Sequence, residues 1–337
     1  MLNNNYYFLF VFVSILISTT ANAQRKYIYE EPKMGSPFTI TIFTNDSLPA
    51  SDAAKAAFKK VDSLNEILSD YIYNSEINRL SRSSGSGKYI PLSAPLFDII
   101  KRSVEASRLS KGSFDISIGP VVQLWRTARK NNQFPASDCI KAALAKTGYR
   151  YIHLDTISQS VWLEKEGMRL DIGGIGKGYV ANEALLVLKK AGFSQAMVNA
   201  GGKIVTAEAP SGSKGWMIGI NMPGEKNLVM PALLSLQNTA VATSGDLYQN
   251  LSFNGKKYSH IISPRTGIGL THGRNVTAIA TDAATADWLS TACSILSITE
   301  SIALVESIPG AAILITENKK GSIVQRSSTR FKDYFVN

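Results

Sequence analysis

The segment Leu170-Asp171-Ile172-Gly173-Gly174-Ile175-Gly176-Lys177-Gly178-Tyr179 reads as strand, turn and helix in ten residues. An apolar, strand-like run ends in an aspartate. Four glycines then fall within six residues, a lysine among them, before a helical pattern begins. Glycine tolerates left-handed dihedrals and leaves no side chain to block a ligand. Backbone N–H groups in a turn that opens a helix can cradle an anion. A phosphate-bearing ligand is therefore expected, with a plain tight connection as the alternative. The spacing is not that of a P-loop, since Gly178 rather than Ser or Thr follows Lys177, and it is not G-x-G-x-x-G.

Working outward, residues 38–43 alternate as a strand does. Apolar residues recur at helical spacing over 51–69, and further helices are predicted over 95–109, 137–146, 179–191 and 283–296. Residues 151–154, 160–163 and 169–172 read as a short antiparallel meander. Strands follow near 195–198, 216–220 and 276–280. A short helix and a hairpin of 311–316 with 322–326, turned at Lys319-Lys320-Gly321, close the chain. The serine- and glycine-rich stretch 81–88 reads as a loop. No repeat and no regular βαβ alternation is present. The expected fold is mixed α+β, with largely antiparallel sheets and packed helices.

Residues 1–23 carry no charge, and the apolar run 6–17 is short for a bilayer span. The run leads to Ala21-Asn22-Ala23, a small-x-small pattern typical of signal-peptidase sites. Residues 1–23 are thus expected to be a cleaved signal peptide, and 24–337 an exported, periplasmic unit of one domain or two lobes. Met1-Leu2-Asn3-Asn4-Asn5 lacks Lys and Arg, so an uncleaved N-terminal anchor is the alternative. No cysteine lies near the cleavage site, which excludes a lipid anchor. The net charge of +10 is spread along the chain without an aromatic-interleaved basic stripe, so nucleic acid is not an expected partner. Cys139 and Cys293 are too few for a disulfide framework, and Cys293 falls in an apolar helical pattern. His153, His260 and His272 are far apart, and no Cys/His cluster suits zinc.

Thr281-Asp282-Ala283-Ala284-Thr285-Ala286-Asp287-Trp288-Leu289-Ser290-Thr291 places Asp287 and Thr291 at i and i+4 of an alanine-rich helix. A carboxylate there must be paired or hold a cation. Carboxylate and hydroxyl oxygens are hard ligands suited to Mg²⁺, and a capping or salt-bridging role is the alternative. His260-Ile261-Ile262-Ser263-Pro264-Arg265-Thr266-Gly267 delivers a histidine ahead of a turn that carries an arginine, an arrangement suited to proton transfer and phosphate contact. Gly112-Ser113-Phe114-Asp115-Ile116-Ser117-Ile118-Gly119-Pro120 reads as a turn into a strand. Met34-Gly35-Ser36 opens the first strand, and Tyr71 and Ser75-Glu76-Ile77 follow the first helix.

Taken together, these segments resemble the ApbE-type family of FAD:protein FMN transferases, in the family's order and over nearly all of residues 34–335. Asn199-Ala200-Gly201-Gly202 and Thr243-Ser244-Gly245 belong to the same pattern. Lys203 stands where the family usually has Asp, Ser263 also where Asp is usual, and Gly176 where Ala is common. The resemblance implies an ApbE-like, T-fold-related architecture. It implies Mg²⁺-dependent transfer of FMN from FAD to a Thr or Ser of an exported or membrane-bound flavoprotein, with release of AMP. It also implies that Gly174, Asp287 and Thr291 hold the metal. Met34, Tyr71, Ser113, Phe114, Asp115, Asp171, Lys177 and Ile262 would then line the FAD site, with His260 the candidate base. An FAD pyrophosphatase releasing FMN and AMP, or a non-catalytic flavin carrier, would share many of these residues. Retention of Asp287, Thr291 and His260 argues against the carrier.

Overall fold

The computed structural model describes residues 24–221, 229–245, 250–319 and 322–336. The expected signal segment 1–23 and Lys320-Gly321 of the C-terminal hairpin turn lie outside the described residues. The strands are β1 (Arg25–Lys33), β2 (Ser36–Thr44), β3 (Ile90–Pro91), β4 (Ile152–Asp155), β5 (Ser160–Leu163), β6 (Ala196–Ala200), β7 (Lys203–Thr206), β8 (Trp216–Asn221), β9 (Val229–Leu236), β10 (Ala240–Ser244), β11 (Asn250–Phe253), β12 (Lys256–Ser259), β13 (Arg274–Ala280), β14 (Ala312–Lys319) and β15 (Ser322–Ser327). The helices are α1 (Ser47–Leu68), α2 (Glu76–Arg82), α3 (Ala94–Leu109), α4 (Gly119–Asn131), α5 (Ser137–Leu144), α6 (Gly176–Lys190), α7 (Ala283–Ile295) and α8 (Ile298–Glu306).

Eight strands form one sheet in the order β1-β2-β6-β7-β10-β13-β14-β15, every neighbouring pair antiparallel. Alternation divides its residues between two buried faces. Ile313 and Ile315 of β14 join the large core with α1, α6 and α7, whereas Ala312 and Leu314 face Trp216, Leu234 and Phe331 on the other side. This is the expected mixed α+β, largely antiparallel fold. α1 presents Ala50, Ala54, Ala57, Phe58, Val61, Leu64 and Leu68 as one buried stripe, and Asp46 caps it by accepting from the Leu48 N–H at 3.1 Å. Asp282 caps α7 in the same way, accepting from the Thr285 N–H at 3.0 Å.

Three local expectations are corrected. Residues 169–172 are not the third strand of the meander, because β3 takes that place beside β5. They run along 116–118 instead, through one bridge between Ile118 and Arg169 and the Asp171 N–H donating to Ile116 O at 2.7 Å. The segment 112–120 leads into helix α4 rather than a strand, and Pro120, with its fixed φ, sits in the first turn. Met34 and Gly35 do not begin the first strand. They are the positive-φ turn of a hairpin whose first arm, β1, went unread. Cys139 is exposed on α5, Cys293 is buried in α7, and both are free thiols. Among the described residues no helix is long and apolar enough to cross a membrane.

Candidate functional site

The site forms at the end of the large sheet where β6 turns into β7 and β10 ends, beneath the N-terminal turn of α6 and the middle of α7. The four glycines of the 173–178 run all keep negative φ, so left-handed backbone is not their purpose. Their purpose is proximity. A Cβ on Gly178 would lie 2.0 Å from Ala283 O and 2.9 Å from Asp287 Cβ, so only glycine lets α6 rest on α7 here. A Cβ on Gly174 would sit 3.0 Å from Thr291 Oγ1 and 3.1 Å from the Phe114 ring. The expected anion cradle is mostly occupied by the protein itself. Gly173 N–H donates to Asp171 Oδ1, Ile175 and Gly176 N–H to Ile172 O, and Gly178 N–H to Asp287 Oδ2. The Gly174 carbonyl and the Lys177 side chain are among the groups the turn still offers a ligand.

Asp287 is 1 % exposed. Its Oδ2 accepts the Gly178 N–H at 3.0 Å, while its Oδ1 is buried without a hydrogen bond. Thr291 Oγ1 lies 3.5 Å from the Gly174 carbonyl oxygen and 3.2 Å from the backbone carbonyl oxygen of Asp287. The hydroxyl and the Gly174 carbonyl thus meet, and the Asp287 side chain leaves the same helix face one turn earlier; the three are hard oxygen donors of the kind that suits a small divalent cation. Among the described residues there is no cluster of three or more His, Cys, Asp or Glu side chains to compete for a metal. Burial pushes the Asp287 carboxyl above the ordinary carboxylate range, against the pull of the Lys203 ammonium and the Gly178 N–H. Burial and the neighbouring Lys203 charge push Lys177 below its ordinary value, while Asp287 draws it up.

A second cluster adjoins the glycine turn. Arg126 of α4 forms ion pairs with Asp70 and, at 2.9 Å, with Asp171, and its guanidinium lies 4.2 Å from the Tyr71 ring centre. Tyr71 is 78 % exposed, so the ring stands in solvent with a cation fixed against one face. Asp171 is pushed up by burial and by the Asp70 charge, and Arg126 opposes both. The preceding residue, Trp125, donates from Nε1 to Gly267 O at 2.8 Å. It packs with Ile262, Val121 and Leu251. Helix α4 therefore braces two sequence-predicted segments with consecutive side chains: Tyr71 and Asp171 through Arg126, and the 260–267 turn through Trp125. Neither Arg126 nor Trp125 stood out in the sequence, because their partners are 45 to 142 positions away.

The remaining residues fall into place around these clusters. Phe114 is buried 6.2 Å, ring to ring, from Trp288, the residue after Asp287. Ser113 is 1 % exposed, and its hydroxyl lacks a partner. Asp115 is turned into the fold: its carboxylate accepts from Ser117 N–H and Oγ and from the Tyr149 N–H. Met34 sits in the β1–β2 turn, beside the Gly201-Gly202 turn that leads to Lys203. His260 follows β12 and is half-buried. A separate hollow lined by Arg102, Asn182, Glu183 and Asp282 includes none of the site residues.

The antiparallel sheet, the glycine-mediated contact of α6 with α7, and the buried Asp287 carboxylate beside the Lys203 ammonium are the frame of the site. The profile of the ApbE family matches residues 34–315, and the chain belongs to that family. An FAD:protein FMN transferase of Klebsiella pneumoniae is 29 % identical over 297 residues, covering 88 % of this chain and 90 % of that protein. The FAD:protein FMN transferase of Escherichia coli K12 is 27 % identical over 309 residues, covering 88 % of each. The crystal structure of the ApbE protein of Thermotoga maritima superposes with a TM-score of 0.83 at 27 % identity, covering 93 % of this chain and all of that one.

Proposed function

We propose that this protein transfers FMN from FAD to a Thr or Ser hydroxyl of an exported flavoprotein, with Mg²⁺ and with AMP as the leaving group. Membership of the ApbE family and the activity named for its curated relatives support the transferase. The single observation that carries the metal is the buried Asp287 Oδ1, which has no hydrogen bond, on the helix whose Thr291 hydroxyl meets the Gly174 carbonyl. A bound Mg²⁺ would neutralise charge on the diphosphate and on departing AMP.

The chain's own groups supply the rest. Lys177 attracts the diphosphate, the exposed Tyr71 ring braced by Arg126 offers a stacking face for an aromatic ring, and Phe114 closes the apolar wall. His260 takes the proton from the acceptor hydroxyl as its oxygen bonds to the FMN phosphorus. The bond from that phosphorus to the AMP-side bridging oxygen breaks, and AMP carries away the electron pair. The apolar run and the Ala21-Asn22-Ala23 pattern support export of the unit spanning residues 24–337.

The test incubates purified protein with FAD, Mg²⁺ and a candidate acceptor domain. In-gel flavin fluorescence on the acceptor is expected, and Asp287→Asn should lower its rate by at least about 10²-fold. Free FMN without labelled acceptor would identify a pyrophosphatase. Unchanged FAD would identify a carrier.

A further inference from the structure

Lys203 begins β7 with its side chain only 11 % exposed. Its ammonium donates to Thr243 O at 2.7 Å and stands 3.7 Å from Asp287 Oδ1, the carboxylate oxygen that lacks a hydrogen bond. One ammonium thus faces one carboxylate in a buried place, and together the pair is neutral. A divalent cation at Asp287 Oδ1 would add positive charge with the Lys203 ammonium already beside the oxygen it must use, and added charge is costly where water is excluded. A diphosphate would cancel it.

We propose that Lys203 is a built-in counter-cation of Asp287 that couples binding of the divalent ion to binding of the nucleotide diphosphate. Without nucleotide, the ammonium stabilises the carboxylate and repels the metal. With a diphosphate present, the same ammonium contacts phosphate oxygen, and the metal binds Asp287 at full strength. Linkage is reciprocal, so the metal strengthens diphosphate binding by the same factor. The inference rests on the metal reading of Asp287, Thr291 and Gly174.

The test uses Mn²⁺ as the metal and ADP as the diphosphate, at pH 8. Electron paramagnetic resonance counts free Mn²⁺ over wild type, Lys203→Met, Lys203→Gln and Asp287→Asn. Equilibrium dialysis measures ADP binding at buffered free Mn²⁺. Without ADP, Lys203→Met should bind Mn²⁺ about 10- to 100-fold more tightly than wild type, the usual range of coupling between sites. In wild type, Mn²⁺ should strengthen ADP binding at least about 10-fold; in the variant this gain should shrink to below about 3-fold. Lys203→Gln keeps a donor for Thr243 O without the charge and should behave as Lys203→Met, which covers the case in which the methionine variant does not fold. If wild type binds Mn²⁺ through Asp287 and the uncharged variants bind it no more tightly, the Lys203 inference is overturned and the metal reading stands. If wild type binds no more Mn²⁺ than Asp287→Asn, both fall.

Discussion

Replacing Gly178 with alanine adds a single methyl group at a place where α6 meets the backbone of α7. The new Cβ would lie 2.0 Å from Ala283 O, 2.5 Å from Ala283 C and 2.9 Å from Asp287 Cβ. Reaching ordinary contact at 3.4 Å needs a retreat of about 1.4 Å from the carbonyl oxygen. The atom met is backbone, so no rotamer change on α7 relieves it. Overpacking of this kind costs about 1–3 kcal/mol, or more where backbone must move. Separating the helices also weakens the Gly178 N–H to Asp287 Oδ2 bond, a charge-assisted contact worth about 1.5–3 kcal/mol. The better helix propensity of alanine returns about 0.5–1 kcal/mol. The net expectation is a loss of about 2–5 kcal/mol, with Mn²⁺ binding weakened because α7 carries Asp287 and Thr291 away from Gly174.

Gly176→Ala is the control two residues away. Its Cβ would meet only the Ile172 side chain, at 3.1 Å to the flexible Cδ1, so its stability should stay within about 1 kcal/mol of wild type. Urea unfolding followed by tryptophan fluorescence measures both variants, and Mn²⁺ titration reads the site. A Gly178→Ala protein as stable as wild type, with unchanged Mn²⁺ affinity, would refute the claim that glycine serves close approach here.

Asp287→Asn should raise the stability of the metal-free protein at neutral pH, because burial holds the folded carboxyl above its unfolded value. Between those two values the folded state binds more protons than the unfolded one, so wild-type stability falls as pH rises through that window. The advantage of the variant should therefore be greatest near neutral pH and vanish in acid; melting curves from pH 4 to 8 that run parallel would contradict this. His260→Asn should slow acceptor flavinylation by about 10²–10⁴-fold with little change in FAD affinity, as loss of a general base does. Weak FAD binding with normal turnover at saturation would make His260 a binding contact instead.

Much of the architecture was legible from local pattern. The apolar stripe of α1 and the alanine-rich buried α7 each report a face turned to the core, and burial of a face leaves a period in sequence. The i, i+4 spacing of Asp287 and Thr291 likewise put a carboxylate and a hydroxyl on one helix face without any tertiary knowledge. Elements without a clean period were misread. β1 is a mostly exposed edge strand carrying Lys, Glu and Pro, and so lacks an apolar alternation to find. Ile116-Ser117-Ile118 alternates like a strand, yet it packs alone against 169–171 and turns into α4.

The sequence by itself determined the helix and strand periods, the glycine run and the spacing of Asp287 and Thr291. The strand order β2-β6-β7-β10-β13 was left to tertiary structure, and so was everything that depends on it. Lys203 acquires its meaning only because β7 lies beside β10 and under α7, which brings its ammonium to 3.7 Å from a carboxylate 84 positions away. Arg126 acquires its meaning only because α4 crosses both Asp70 and the glycine turn. A buried face repeats along the chain and can be counted, whereas a charge acts over a few ångströms in whatever direction packing has placed its partner.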